Sequence, residues 1–189
     1  MKQNENPFVL SAILLVISVV VAFILSITNT ITKDRIADNT LKEQIKARQE
    51  VLPCASQFED INYTEGMVKG VFEGCDDAKN FVGWCVNVAP NGYGGEIDIM
   101  VGITKDYELS GVQVISNSET ASLGARCTEP EFLDQFKGKD FPFSVTKNKD
   151  TKSDEISAIT GATITSKAVT EGVNVAYDIV NKIGGGVSE

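Results

Sequence analysis

A chain of 189 residues with a formal net charge of −9 is long enough for one domain and an accessory segment. Its acidity repels phosphate backbones and anionic headgroups alike, which argues against nucleic acid as a partner. Histidine is absent, and that removes the commonest base or ligand of Ser-His and Cys-His nucleophiles, of zinc sites and of histidine-ligated haem.

The first element is a run without charge. Residues 7–27, PFVLSAILLVISVVVAFILSI, match the roughly 20 apolar residues with which a helix crosses a lipid bilayer. A secretory signal peptide has a shorter apolar region and an A-x-A cleavage site, and no such site follows here. The first cysteine, Cys54, lies too far on for lipoprotein processing. We assign residues 1–6 to a tail and 7–29 to one transmembrane helix. Lys2 and Glu5 cancel before residue 33, so the whole negative charge lies beyond the span. Lys33, Arg35, Lys42, Lys46 and Arg48 follow it, and the positive-inside count taken alone keeps the large domain in the cytoplasm.

Residues 30–53 read as a helical stalk, with Ile36, Leu41, Ile45 and Leu52 as apolar positions and Pro53 as its stop. A continuous helix and one broken near Asn39 fit equally. The remainder, 54–189, forms one domain. Between residues 66 and 116, short β-like runs alternate with turns such as PNGYGG, which predicts an antiparallel meander. Trp84, in an apolar strand, belongs to the core. Thr128 followed by Glu131 has the spacing of a capping box and predicts a short helix. Val169, Val173, Ala176, Val180 and Ile183 recur at helical spacing before the glycines at 184–186, so the last helix should lay an apolar stripe on the sheet. Strands followed by segregated helices predict an α+β domain.

Cys54, Cys75, Cys85 and Cys127 contain no C-x-x-C. They allow two disulfides in any of three pairings, or buried thiols in a reducing setting. The acidic residues form no metal-ligand pattern, and no metal site is expected.

The stretch TGATITS, residues 160–166, crowds hydroxyls around a Gly-Ala step ahead of a helix expected to begin near Ser166. Gly161 permits a turn with positive φ, Ala162 adds little bulk, and the helix start aims unpaired N–H groups back at the turn. Thr160, Thr163, Thr165 and Ser166 can each donate to an anion such as phosphate there. An ordinary capped turn has the same composition, and both readings stand on these residues alone.

TGATITS also resembles the [ST]-G-A-T-x-[ST] flavinylation motif of FMN-binding domains in the Rnf and Nqr respiratory complexes. The stretch from residue 92 to 139 is similar to the pattern of that family: a GYGG turn, two strands, an E-T-x-x-L-G loop and a short helix ending in Q-F-x-G. With the single N-terminal span, the chain is identified by this resemblance as a member of the G-subunit family of Rnf complexes. The resemblance implies that a flavin transferase esterifies the FMN phosphate to Thr163, with Thr160, Gly161, Ala162, Thr165 and Ser166 around the phosphate. It implies that Glu119, Thr120, Leu123 and Gly124 shape the ring site. Tyr93 is expected to pack over its own hairpin. The loop and the acceptor turn lie far apart in the sequence and are expected to be separately alterable.

Two features depart from the family. Ser157 stands where an aspartate is common, and Ala121-Ser122 replace a usual Pro-Gly. The resemblance further implies an extracytoplasmic domain at the cell membrane and partner subunits that couple ferredoxin–NAD electron transfer to Na⁺ or H⁺ translocation. Without a GxGxxG or an iron–sulfur cysteine pattern, the chain is expected to relay electrons rather than act as an enzyme alone, with no catalytic residue of its own. The alternatives are the C subunit of a Na⁺-translocating NADH:quinone oxidoreductase and a membrane-anchored binding module without flavin.

Overall fold

The computed structural model describes residues 7–148 and 151–185. The expected tail, residues 1–6, and the last of the C-terminal glycines lie outside them. Contacts divide the chain into residues 1–42 and residues 43–189.

The N-terminal helix α1 runs unbroken over Pro7–Val51, with no interruption near Asn39. Within it Pro7–Thr30 has a mean hydropathy of 3.2 and is long and apolar enough to cross a membrane. The helix stops at Val51, two residues before Pro53. A proline disfavours helical backbone in the residue before it, which accounts for the early end.

The domain is built on a five-stranded antiparallel sheet, β1 (Gln57–Asp60), β2 (Val68–Cys75), β3 (Phe81–Val88), β4 (Ile97–Thr104) and β5 (Leu109–Asn117), in sequential order. This is the expected meander with one extra edge strand, β1. Strand periodicity puts Ile97, Ile99, Val101 and Ile103 on one face, in a common core with Val169, Val173, Ala176 and Val180. Those four belong to helix α3 (Thr163–Gly184). Each fully buried aliphatic side chain contributes roughly 1.5–3 kcal/mol of burial, so this face fixes α3 on the sheet.

The opposite face holds Cys85 and Met100 against Ala47, Val51, Leu52 and Ala55. Gly102 is needed there, because a Cβ on it would lie 2.2 Å from the Val51 carbonyl oxygen. Arg48 lies over the Phe72 ring, 3.5 Å from its centroid. Trp84 is buried as expected, between Phe81 and Tyr107 at 4.5 and 5.6 Å.

Two local expectations are corrected, and two strands are added. Thr128 does not cap the short helix α2 (Pro130–Leu133): its hydroxyl donates back to the Ala125 carbonyl at 3.0 Å, and the capping position is Glu129, without a side-chain cap. A 3₁₀ turn over Gly124–Thr128 ends there and claims the threonine. Two further strands, β6 (Ser144–Thr146) and β7 (Glu155–Ser157), pair in parallel. At three residues each they are too short to show a period. The last helix begins at Thr163 rather than near Ser166.

All four cysteines are free thiols, Cys54 exposed, Cys75 half-buried, Cys85 and Cys127 buried. Burial pushes the Cys85 thiol up to about 12 against the opposing pull of Arg48. Burial, with the Glu119 carboxylate adding to it, pushes Cys127 up to about 11.

Candidate functional site

One carboxylate joins three segments of the chain. The turn between β3 and β4 is closed by Gly92 N–H donating to the Gly95 carbonyl at 2.8 Å. The next two amides, of Tyr93 and Gly94, donate to Glu119 Oε1 at 2.7 and 3.0 Å. Glu119 Oε2 accepts the Thr165 hydroxyl at 2.7 Å. Asn117 Oδ1 in turn accepts the Glu119 amide at 3.1 Å.

This approach is close enough to demand glycine. A Cβ on Gly92 would lie 2.2 Å from Glu119 Oε1, one on Gly124 2.2 Å from Oε2, and one on Gly94 2.1 Å from the Ser118 carbonyl oxygen. Gly92 and Gly124 therefore make room for the hydrogen-bonded Glu119 side chain, and Gly94 for the Ser118 backbone. The Glu119 carboxylate orders the site rather than facing a ring with free oxygens.

The loop after Glu119 folds on Thr120, whose carbonyl accepts the Leu123 and Ala125 amides at 3.2 Å each. Ser122 has φ of 66°, a left-handed backbone that a side chain makes costly. Leu123 reaches the TGATITS turn, its Cδ2 3.1 Å from where a Cβ on Gly161 would sit.

In the TGATITS segment Gly161 has φ of 81°, as the turn requires. The Ala162 amide donates to the Ile159 carbonyl at 2.9 Å. The Ser166 hydroxyl is fully buried, donating to the Ala162 carbonyl at 2.9 Å and accepting the Ile159 amide at 3.0 Å. Ser166 pins the turn from below and has no hydroxyl proton left for an anion. Thr165 is committed in the same way to Glu119.

Thr163, the first residue of α3, is half-buried and its hydroxyl has no hydrogen-bond partner among the described residues. The first backbone N–H of α3 that finds a helical partner is that of Ser166, to Ala162 O at 3.0 Å. The N–H groups before it are the unpaired donors of a helix start, where negative charge is favoured. No acidic residue stands in the first turn.

These segments enclose a cleft of about 520 Å³. Its walls are Glu119, Thr120, Leu123 and Gly124 from the loop, and Gly161, Ala162, Thr163 and Thr165 from the TGATITS segment. Tyr93 and Ile164 complete them. Both are exposed, at 72% and 55%, and Leu123 is at 45%. Neither Tyr93 nor Ile164 was expected there: Tyr93 stands out on the cleft rim rather than lying over its hairpin. An apolar Ile164 at an exposed helix start was the signal present in the sequence.

Of the expected site residues, two lie elsewhere. Thr160 borders a separate polar groove with Arg126, Glu129 and Gln135, and Ser166 is beneath the turn. The cleft volume falls in the roughly 300–1,000 Å³ range of small-ligand sites. Apolar walls, an unpaired hydroxyl and a helix start fit a flavin ring ending in a phosphate. No cluster of three or more potential metal ligands occurs among the described residues.

The sequence matches the model of the FMN-binding domain over residues 92–178 and that of the RnfG N-terminal region over residues 8–51. It is 37% identical over 193 aligned positions to the G subunit of the Na⁺-translocating ferredoxin:NAD⁺ oxidoreductase complex of Acetobacterium woodii, covering 93% of this chain and 92% of the relative. Identity to the G subunit of the ion-translocating oxidoreductase complex of Methanosarcina acetivorans is 36%, with 89% and 91% covered. The structure of the C subunit of the Na⁺-translocating NADH-quinone reductase of Parabacteroides distasonis aligns with a TM-score of 0.59 at 19% identity, covering 82% of this chain and 98% of that one. That likeness is one of fold. Similarity over nearly the full length, together with the two family matches, establishes that the chain belongs to the RnfG family, the G subunits of ion-translocating oxidoreductase complexes, and carries an FMN-binding domain.

Proposed function

We propose that this chain is a single-pass, membrane-anchored electron carrier that holds FMN as a phosphoester on Thr163. It works inside a complex with other subunits that couples ferredoxin–NAD electron transfer to Na⁺ or H⁺ translocation. The observation that carries the attachment is the setting of Thr163: a hydroxyl without a protein partner among the described residues, on the first residue of a 22-residue helix, opening into the cleft. Its neighbours Thr165 and Ser166 are already engaged. The identity to G subunits favours this reading over a C subunit or a flavin-free binding module.

When bound, FMN supplies the redox chemistry, accepting and releasing electrons. The protein's own residues place it. Unpaired amides at the start of α3 would hold the phosphate, while Leu123, Ile164 and Tyr93 would give the ring an apolar seat. The Glu119 carboxylate ties the three segments around the cleft together.

Attachment needs a transferase. The Thr163 oxygen forms the new bond to the FMN phosphorus of a flavin nucleotide that carries a phosphoanhydride. The anhydride P–O bond breaks and its electron pair leaves with the departing phosphate. The Thr163 proton passes to a base on the transferase, because Glu119, the carboxylate in the cleft wall, already accepts three hydrogen bonds. No electron is exchanged in this step.

Once attached, the flavin cannot be lost by dilution, whereas a reversible site empties as free ligand falls. That favours a carrier facing outward, and we place the domain outside the cytoplasm, since long domains translocate largely regardless of flanking charge. The test of attachment is peptide mass spectrometry of acid-denatured protein after coexpression with a flavin transferase. An FMN adduct on Thr163 is expected; an adduct elsewhere, or only free FMN, overturns the assignment.

A further inference from the structure

The Q-F-x-G pattern at residues 135–138 takes no part in the cleft, yet its glutamine holds the backbone that leads into the acceptor turn. Strand β7 uses one edge for β6, with Ser144 N–H donating to Asp154 O and Ala158 N–H to Thr146 O, both at 2.8 Å. Along the other edge every second residue finds a side chain instead. Lys139 Nζ donates to the Glu155 carbonyl. Ser157 N–H donates to Gln135 Oε1 at 2.8 Å, and Gln135 Nε2 donates to the Ser157 carbonyl at 3.4 Å. Ile159 N–H donates to Ser166 Oγ at 3.0 Å. Two strands of three residues are too short to be stable alone, and these side chains stand in for the missing neighbour strand.

We infer that Gln135 is a positioning residue for the esterification of Thr163, an inference that rests on Thr163 being the acceptor. It grips both backbone groups of Ser157, upstream of the exposed pair Thr160 and Gly161, while Ser166 grips Ile159. The turn is thereby presented to the transferase in one geometry. Group transfer requires the reacting atoms about 3–3.5 Å apart, and a 1 Å misplacement costs on the order of 100-fold in rate. Because Gln135 holds main chain, its grip does not depend on the side chain at position 157. The groove of about 480 Å³ beside it, lined also by Arg126, Glu129 and Thr160, leaves this edge open to an approaching enzyme.

The test uses the full chain, purified without flavin, with a purified flavin transferase and its flavin nucleotide. Intact-mass time courses are followed for the wild type, Gln135→Leu, Gln135→Glu and Ser157→Pro, each with its melting temperature. Gln135→Leu is expected to slow esterification at least tenfold while melting within a few degrees of wild type. Gln135→Glu, which keeps an acceptor for Ser157 N–H and loses only the longer, 3.4 Å donation to the Ser157 carbonyl, should recover part of the rate. Ser157→Pro lacks that N–H and should be slow. A wild-type rate in folded Gln135→Leu, or in Ser157→Pro should the first variant not fold, overturns the inference. So does equal slowing in the leucine and glutamate variants, since the accepting atom would then be irrelevant. Failure of the acceptor assignment looks different: the wild type itself stays unmodified or carries the adduct on another residue.

Discussion

Thr165 donates its hydroxyl to Glu119 at 2.7 Å across 46 residues of sequence. The two segments expected to be separable are joined at this bond, and Leu123 against Gly161 makes a second join. Changes in the loop are therefore felt at the start of α3, where Thr163 sits.

Removing that knot should cost stability as well as flavin geometry. Glu119→Ala strands the Tyr93 and Gly94 amides and the Thr165 hydroxyl. A donor left unsatisfied in a buried setting costs about 1–3 kcal/mol. Only Thr165 is buried among the three, so the expected loss is about 2 kcal/mol overall. Urea denaturation of the flavin-free protein reads it; an unchanged midpoint would show that the carboxylate orders nothing.

Two hydroxyls three residues apart should behave oppositely. Ser166→Ala orphans the buried Ile159 amide and should destabilise by about 1–3 kcal/mol, with an FMN adduct still forming at Thr163 in the folded fraction. Thr163→Val removes a hydroxyl without a partner among the described residues and should change stability by less than about 1 kcal/mol while abolishing bound flavin. Melting curves paired with intact mass separate the two, and bound flavin in Thr163→Val would refute the attachment site.

Ser122→Gly should stabilise the protein. A non-glycine residue at φ of 66° is held against its own preference, at roughly 1–2 kcal/mol. The extra freedom of glycine in the unfolded chain offsets part of this, leaving a gain of up to about 1 kcal/mol. A fall in melting temperature would mean that the Ser122 side chain makes a contact of its own.

Thiol chemistry tests both topology and pH response. Cys54 is exposed, whereas Cys85 and Cys127 are buried and raised to about 12 and about 11. An impermeant maleimide near neutral pH should label Cys54 in intact cells if the domain is extracytoplasmic; labelling only after lysis places it inside. The two raised thiols keep their protons in the folded state at pH values where the unfolded chain, with an ordinary value near 9.0, has lost them. Their contribution is fully present below about pH 9 and declines as pH rises through about 11 and 12. Cys85→Ala with Cys127→Ala should flatten that alkaline fall in denaturation midpoint.

What the sequence by itself determined was carried by neighbours along the chain. The apolar run at 7–27 is a signal of local composition, and the β-like runs between 66 and 116 and the stripe of α3 are periodic ones, each reporting only residues a few positions away. The TGATITS motif located the hydroxyl-rich helix start in the same local way. Which of its hydroxyls stays free was decided by tertiary packing. Thr165 is claimed by a carboxylate from the other end of the loop, Ser166 by the turn beneath it, and Thr160 faces another groove. Tyr93 and Ile164 became cleft walls because β3, β4 and α3 converge there. A hydrogen bond is satisfied by whatever the fold brings within about 3 Å, and no period in the sequence encodes a partner 46 residues away.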